Sequence, residues 1–126
     1  MNWTTVLAIA GVFAVFYLLK RSGQVSTKDA LTYLKQGALV IDVRTPAEFN
    51  SGHLPSAINL PLDEIETSLP RRVQDRNQVL LLHCQSGMRS GVARKKLKAL
   101  GYRNAFNLGS YARAEVIVND KFATFG

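Results

Sequence analysis

Residues 83–91 read His-Cys-Gln-Ser-Gly-Met-Arg-Ser-Gly and contain Cys84, the single cysteine of a 126-residue chain. Four residues, Gln85, Ser86, Gly87 and Met88, separate this thiol from Arg89. An aliphatic run ends just before it at His83, and residues 89–100 carry a helical pattern, so the loop joins a strand end to a helix start. At such a junction the first backbone N–H groups of the helix have no intrahelical partner. Gly87 supplies a positive φ that lets successive N–H groups curl into a nest, and Ser86 offers a hydroxyl donor. With Arg89 and the positive helix end, these donors favour a thiolate and lower the thiol pKa. The chemistry such a loop supports is nucleophilic, through a covalent intermediate on sulfur. A lone cysteine is more often a buried structural one, yet the polar residues that follow Cys84 do not line an apolar pocket.

The elements that must hold this loop follow from the pattern on either side. Ser26, with Asp29 three residues on, caps a helix running to about Gln36, and Gly37 ends it. Residues 38–43, ALVIDV, form a short apolar run of the kind found in a strand covered on both faces. Thr45, Pro46 and Glu48 then give a cap, a first-turn proline and a capping-box acid, which starts a short helix immediately. Further strands are predicted over residues 57–60, 79–83 and 104–108, and helices near 62–69, 89–100 and 110–119. Alternating strands and helices build an α/β fold whose mainly parallel sheet has helices on both faces. Ligands of such sheets bind beyond the carboxyl ends of the strands. Asp42, Arg44, Asn59, Cys84 and Gly109 all fall at such ends, so one rim gathers residues far apart in the chain.

Composition bounds the rest. The net charge of +7, from 16 Lys and Arg against 9 Asp and Glu, suits small anions or an anionic surface. The basic residues are spread out, and neither an aromatic RNA-binding motif nor a zinc spacing occurs, so no nucleic acid, metal or cofactor is expected. Residues 3–19 carry no charge and end at Lys20-Arg21. This run is read as an uncleaved transmembrane anchor over residues 1–21, with residues 22–126 as one compact domain entered through a short linker at residues 21–24. The basic pair on its C-terminal side places that domain in the cytoplasm and gives the protein a membrane-lipid partner.

Three segments in the right order resemble the single-domain rhodanese family. The loop Cys84-Gln85-Ser86-Gly87-Met88-Arg89-Ser90 looks like its active-site loop, Ile41-Asp42-Val43-Arg44 with Glu48-Phe49 like its Asp-Val-Arg motif, and residues 52–61 like its Gly-His-Ile-Pro-Gly-Ala segment. The resemblance, which runs from about Val25 to Gly109, implies a thiosulfate sulfurtransferase-like fold and activity. It implies Cys84 as nucleophile, Arg89 as the loop arginine, and Asp42 and Arg44 as supporting residues. Gly109-Ser110-Tyr111 departs from the Gly-Gly-Trp of many members, and Ser56 stands for a usual Gly.

The expected reaction is ping-pong transfer of a sulfane sulfur. Cys84 takes it from thiosulfate or another donor, and the persulfide passes it to an external thiol, cyanide or a protein thiol, since no second cysteine is present to resolve it. Arg44 or Arg113 is a candidate for the donor's sulfonate end; His83 and His53 are read as structural. Two alternatives stand beside this. One is a membrane-tethered sulfur-carrier or regulatory module without turnover. The other is a cysteine phosphatase, disfavoured because that loop has five residues between Cys and Arg where this one has four.

Overall fold

The computed structural model describes residues 2–21 and 24–123. Along the chain run α1 (Trp3–Arg21), α2 (Thr27–Lys35), β1 (Leu39–Asp42), α3 (Pro46–Ser51), β2 (Ile58–Asn59), a 3-10 turn (Leu62–Glu64), α4 (Ile65–Arg72), β3 (Leu80–His83), α5 (Met88–Ala99), β4 (Ala105–Gly109) and α6 (Tyr111–Ala123). The strands form one parallel sheet in the order β2-β1-β3-β4. Parallel neighbours need crossovers, and the helices supply them. The caps lie where the side chains demand: Ser26 Oγ accepts from Asp29 N at 3.1 Å, and Thr45 and Glu48 close a reciprocal capping box around the start of α3.

Alternation along the central strands sorts the core into two layers. Ile41, Leu80 and Leu82 face Ile65 and Leu69 of α4 and Ala93 and Leu97 of α5. Val40, Leu81 and Leu108 face Ala30 and Leu34 of α2 and Ala114, Ile117 and Val118 of α6. All four residues of β3 are buried, as in a strand covered on both sides.

The membrane assignment is corrected. Among the described residues no helix is long and apolar enough to cross a membrane. The uncharged stretch within α1 is 17 residues, residues 3–19, which at ~1.5 Å per residue reaches about 26 Å against a hydrocarbon core of about 30 Å. The transmembrane anchor and the single-pass placement with the domain facing the cytoplasm fall with it, and the membrane-lipid partner loses the span on which it rested. The helix itself forms, its first turn capped by Asn2 Oδ1 accepting from Thr5 N at 2.9 Å. Residues 22–23 of the expected linker lie outside the described residues.

Candidate active site

Cys84 follows the last residue of β3 and is fully buried. Its backbone N–H donates to Gly109 O at 3.2 Å, and Gln85 O accepts from Tyr111 N at 3.3 Å, so the loop is stitched to the turn between β4 and α6. That seam requires two glycines. Gly87 and Gly109 hold φ values of 95° and 105°, and a Cβ on Gly87 would lie 3.4 Å from the Gly109 carbonyl carbon.

The donors of the loop converge on sulfur. Gly87 N lies 3.0 Å from Cys84 Sγ, Ser90 N 3.4 Å and Ser90 Oγ 3.5 Å. Burial alone pushes the thiol pKa up, but the Ser90 hydroxyl and the amides of Ser90, Gly87 and Ser86 outweigh it, and the net shift is downward. The hydroxyl donor is therefore that of Ser90, whereas Ser86 acts through its backbone. Gln85, Ser86 and Met88 have exposed side chains, Met88 at 77%.

Arg89, in the first turn of α5, reaches across to α3. Its Nη1 and Nη2 donate to the two carboxylate oxygens of Glu48 at 2.7 and 2.9 Å. Glu48 also accepts from Thr45 N and Oγ1, both at 3.1 Å. Arg89 first, and the Thr45 amide after it, hold the Glu48 carboxyl down at about 2. Cys84 is among the weaker influences that raise the Arg89 pKa, behind Glu48. The guanidinium thus neighbours the sulfur while its fork is taken by a carboxylate.

Asp42 and Arg44 form a second, deeper unit beneath the loop. The buried Asp42 carboxylate accepts from Arg44 Nε at 3.0 and 3.1 Å, from Nη2 at 2.8 Å and from the Arg44 amide at 2.9 Å. Arg44 Nη2 also donates to Gly52 O at 2.8 Å, Nη1 lies 3.5 Å from Gln85 Oε1, and the guanidinium sits 4.7 Å over the Tyr111 ring. Asn59 Nδ2 donates to the carbonyls of Asp42 and Arg44, each at 3.0 Å, which fixes the turn after β1. Arg113 gives its two terminal nitrogens to Leu108 O and Val25 O. Both terminal nitrogens of Arg113 and Nη2 of Arg44 are thus engaged within the protein, while Arg44 Nη1 has only the long contact to Gln85.

His83 turns away from Cys84, edge-on to Tyr111 with centroids 5.8 Å apart. Its Nε2 is 3.7 Å from Asp42 Oδ2, and neither ring nitrogen has a hydrogen-bond partner. The sequence reading missed Glu48 as the partner of Arg89, Ser90 as a donor to sulfur, and Asn107. The last accepts from Ser90 Oγ at 2.7 Å and Gly109 N at 2.9 Å, and donates to Gly87 O at 3.0 Å. A capping-box acid at the third position of α3 was the available signal for Glu48. Asn107 is marked only as a polar residue within an apolar run, and Ser90 carries no local mark.

Comparison with known proteins shows the family of the chain. The rhodanese-like domain family matches residues 26–113. The thiosulfate sulfurtransferase PspE of Escherichia coli is 36% identical over 69 residues, which are 55% of this chain and 66% of that protein. A sulfurtransferase of Allochromatium vinosum is 37% identical over 73 residues, 58% of this chain and 66% of that one. A putative sulfur carrier protein of Bacillus subtilis, YrkF, is 28% identical over 69 residues, covering 55% of this chain and 36% of its own. Among solved structures, the human single-domain sulfurtransferase TSTD1 superposes with a TM-score of 0.65 at 30% identity, over 75% of this chain and 96% of that one. An Escherichia coli rhodanese with anions gives 0.59 at 32% identity, over 61% and 91% respectively.

Proposed function

The chain belongs to the rhodanese-like sulfurtransferase family, and from that premise we propose that it moves a sulfane sulfur from a donor such as thiosulfate to a thiophilic acceptor through a persulfide on Cys84. The observation that carries this is the direction of the loop donors. The Gly87 amide at 3.0 Å and the Ser90 amide at 3.4 Å are aimed at Sγ itself. A loop built to hold a tetrahedral phosphate would aim them at the oxygens of that group, so the phosphatase reading loses ground.

In the first half-reaction the Cys84 thiolate attacks the outer sulfur of thiosulfate. The sulfur–sulfur bond of the donor breaks, and sulfite leaves with its electron pair. The persulfide extends about 2 Å beyond Sγ, while the Ser90 and Gly87 donors remain on the inner sulfur and stabilise the charge it shares. In the second half-reaction an acceptor nucleophile, a small thiol, cyanide or a protein thiol, takes the terminal sulfur and returns the thiolate. Asp42 and Arg44 act by position. Their ion pair fixes the turn after β1, and Arg44 lies alongside Gln85 and Tyr111 on the two segments that the loop seam joins.

The test is intact mass before and after incubation with thiosulfate, for the native chain and for Cys84→Ser. A gain of one sulfur, reversed by a reducing thiol and absent in the variant, is the expected result; loading in Cys84→Ser refutes the assignment. The resemblance to a putative sulfur carrier favours a second reading, in which the loaded sulfur goes to one protein partner without small-molecule turnover. Loading without release to cyanide or small thiols selects it.

A further inference from the structure

The cations around Cys84 make their shortest bonds within the protein. Arg44 is held by Asp42 and Gly52 O, and Arg113 by Leu108 O and Val25 O. Arg89, the guanidinium beside the thiol, meets Glu48 fork to fork at 2.7 and 2.9 Å. A sulfonate offers a guanidinium the same pair of oxygens that a carboxylate does, so the two compete for one fork. Glu48 occupies the Arg89 fork that a sulfonate would otherwise use. It is anchored there by Thr45, whose amide and hydroxyl lie 3.1 Å from its Oε1.

On the sulfur-transfer reading above, we propose that Glu48 is a specificity-determining residue, an internal anion in the Arg89 fork that disfavours sulfonate-bearing donors and suits the site to alkyl hydropersulfides built on an uncharged carbon skeleton. Such a donor needs no guanidinium. The Cys84 thiolate attacks its terminal, hydrogen-bearing sulfur, the donor's sulfur–sulfur bond breaks, and the electron pair departs with the alkyl thiolate. The transferred sulfur keeps its hydrogen, so the product on the protein is a hydropersulfide and no oxidant or reductant is needed. The net positive charge of the chain, +7, still draws anions toward the surface. At the site itself Asp42 and Glu48 offset the charges of Arg44 and Arg89, and the field a dianion meets there is correspondingly weaker.

The experiment has two arms on the full chain. In the first, thiosulfate is titrated calorimetrically into Cys84→Ser and into Cys84→Ser/Glu48→Gln, so that binding is read with no sulfur moving. Glutamine at 48 keeps an acceptor for the Thr45 cap, and the melting temperature of each variant checks that the fold is retained. The double variant is expected to bind thiosulfate about tenfold more tightly, a change of about 1.4 kcal/mol. In the second arm, Glu48→Gln raises the ratio of the Cys84 loading rate from thiosulfate to that from the hydropersulfide of 2-mercaptoethanol by a similar factor. Thiosulfate binding that is equal, weaker, or undetectable in both serine variants overturns the proposal, as does an equal gain for both donors. Failure of both donors to load the native chain would instead refute sulfur transfer, and the binding arm separates the two failures.

Discussion

At the scale of single residues, the acidity of Cys84 is a contest between burial and hydrogen bonds. Burial opposes the thiolate and the loop donors favour it, and the donors prevail. Ser90 contributes twice, through its amide at 3.4 Å and its hydroxyl at 3.5 Å. The hydroxyl has one proton and three acceptors in reach, since Asn107 Oδ1 lies at 2.7 Å and Gly87 O at 3.1 Å. A thiolate draws that proton more strongly than a thiol does, because hydrogen bonds to charged acceptors are the stronger ones. Ser90→Ala is expected to raise the Cys84 pKa, because the thiolate loses one of its donors. The midpoint of the alkylation rate against pH measures it, and an unmoved midpoint would show that the amides act alone. Cys84 and Arg89 were legible in the chain because thiol, glycine and arginine stood in an unusual order. Their partners were not. Glu48 is 41 residues from Arg89 and Asn107 is 17 from Ser90, and a single chain carries no local sign of pairings made only by folding.

At the scale of elements, the loop is a product of its flanks. The register β1-β3-β4 places Asp42, His83 and Gly109 at one level of the sheet, with an irregularity between Leu82 and His83. From there the chain must turn sharply into α5, and Gly87 makes that turn in the left-handed region at φ 95°. Gly87→Ala places a Cβ 3.4 Å from the Gly109 carbonyl carbon and adds about 1–2 kcal/mol of backbone strain. We expect a melting temperature lowered by several degrees and a larger proportional loss in the rate of persulfide loading, because the Gly87 amide leaves the sulfur. Loading that falls no further than stability would mean that this amide is not a functional donor. Most elements were legible in the sequence through caps and apolar periods, α3 most clearly from Thr45, Pro46 and Glu48. Strand β2 contracts to Ile58–Asn59 where four residues were expected, and it pairs only with Ile41 and Asp42 of β1. The uncharged N-terminal run gave the right helix and the wrong environment. Hydrophobicity fixes what a segment avoids, whereas spanning also demands length.

At the scale of the whole molecule, the sheet separates two apolar layers, and the site's ion pair and imidazole lie in its buried rim. His83 faces Asp42 from β1, Arg44 from the turn after it and Tyr111 from α6. Its side chain is fully buried and its nitrogens unpartnered. Burial lowers its pKa below the ordinary 6.5; Asp42 and then the Cys84 backbone oppose the shift, and Arg44 reinforces it. A histidine whose folded pKa is depressed binds its proton more readily when unfolded. Its contribution to stability is therefore complete above about pH 6.5 and is lost as the pH falls below it, with a slope of at most about 1.4 kcal/mol per pH unit. Glu48 acts in a lower window. Its carboxyl, held at about 2 against an ordinary 4.5, adds stability above pH 4.5 that disappears as the pH approaches 2. The acid limb of the stability curve should thus have two separable parts. His83→Phe keeps the ring, removes the titrating and unpartnered nitrogens, and should flatten the limb beginning near pH 6.5 without loss at neutral pH, since a buried polar group without a partner is itself unfavourable. Glu48→Gln should flatten only the part below pH 4.5. Urea midpoints taken across pH 3 to 8 on the native chain and both variants test this, and an unchanged upper limb in His83→Phe would place the acid sensitivity of the fold elsewhere.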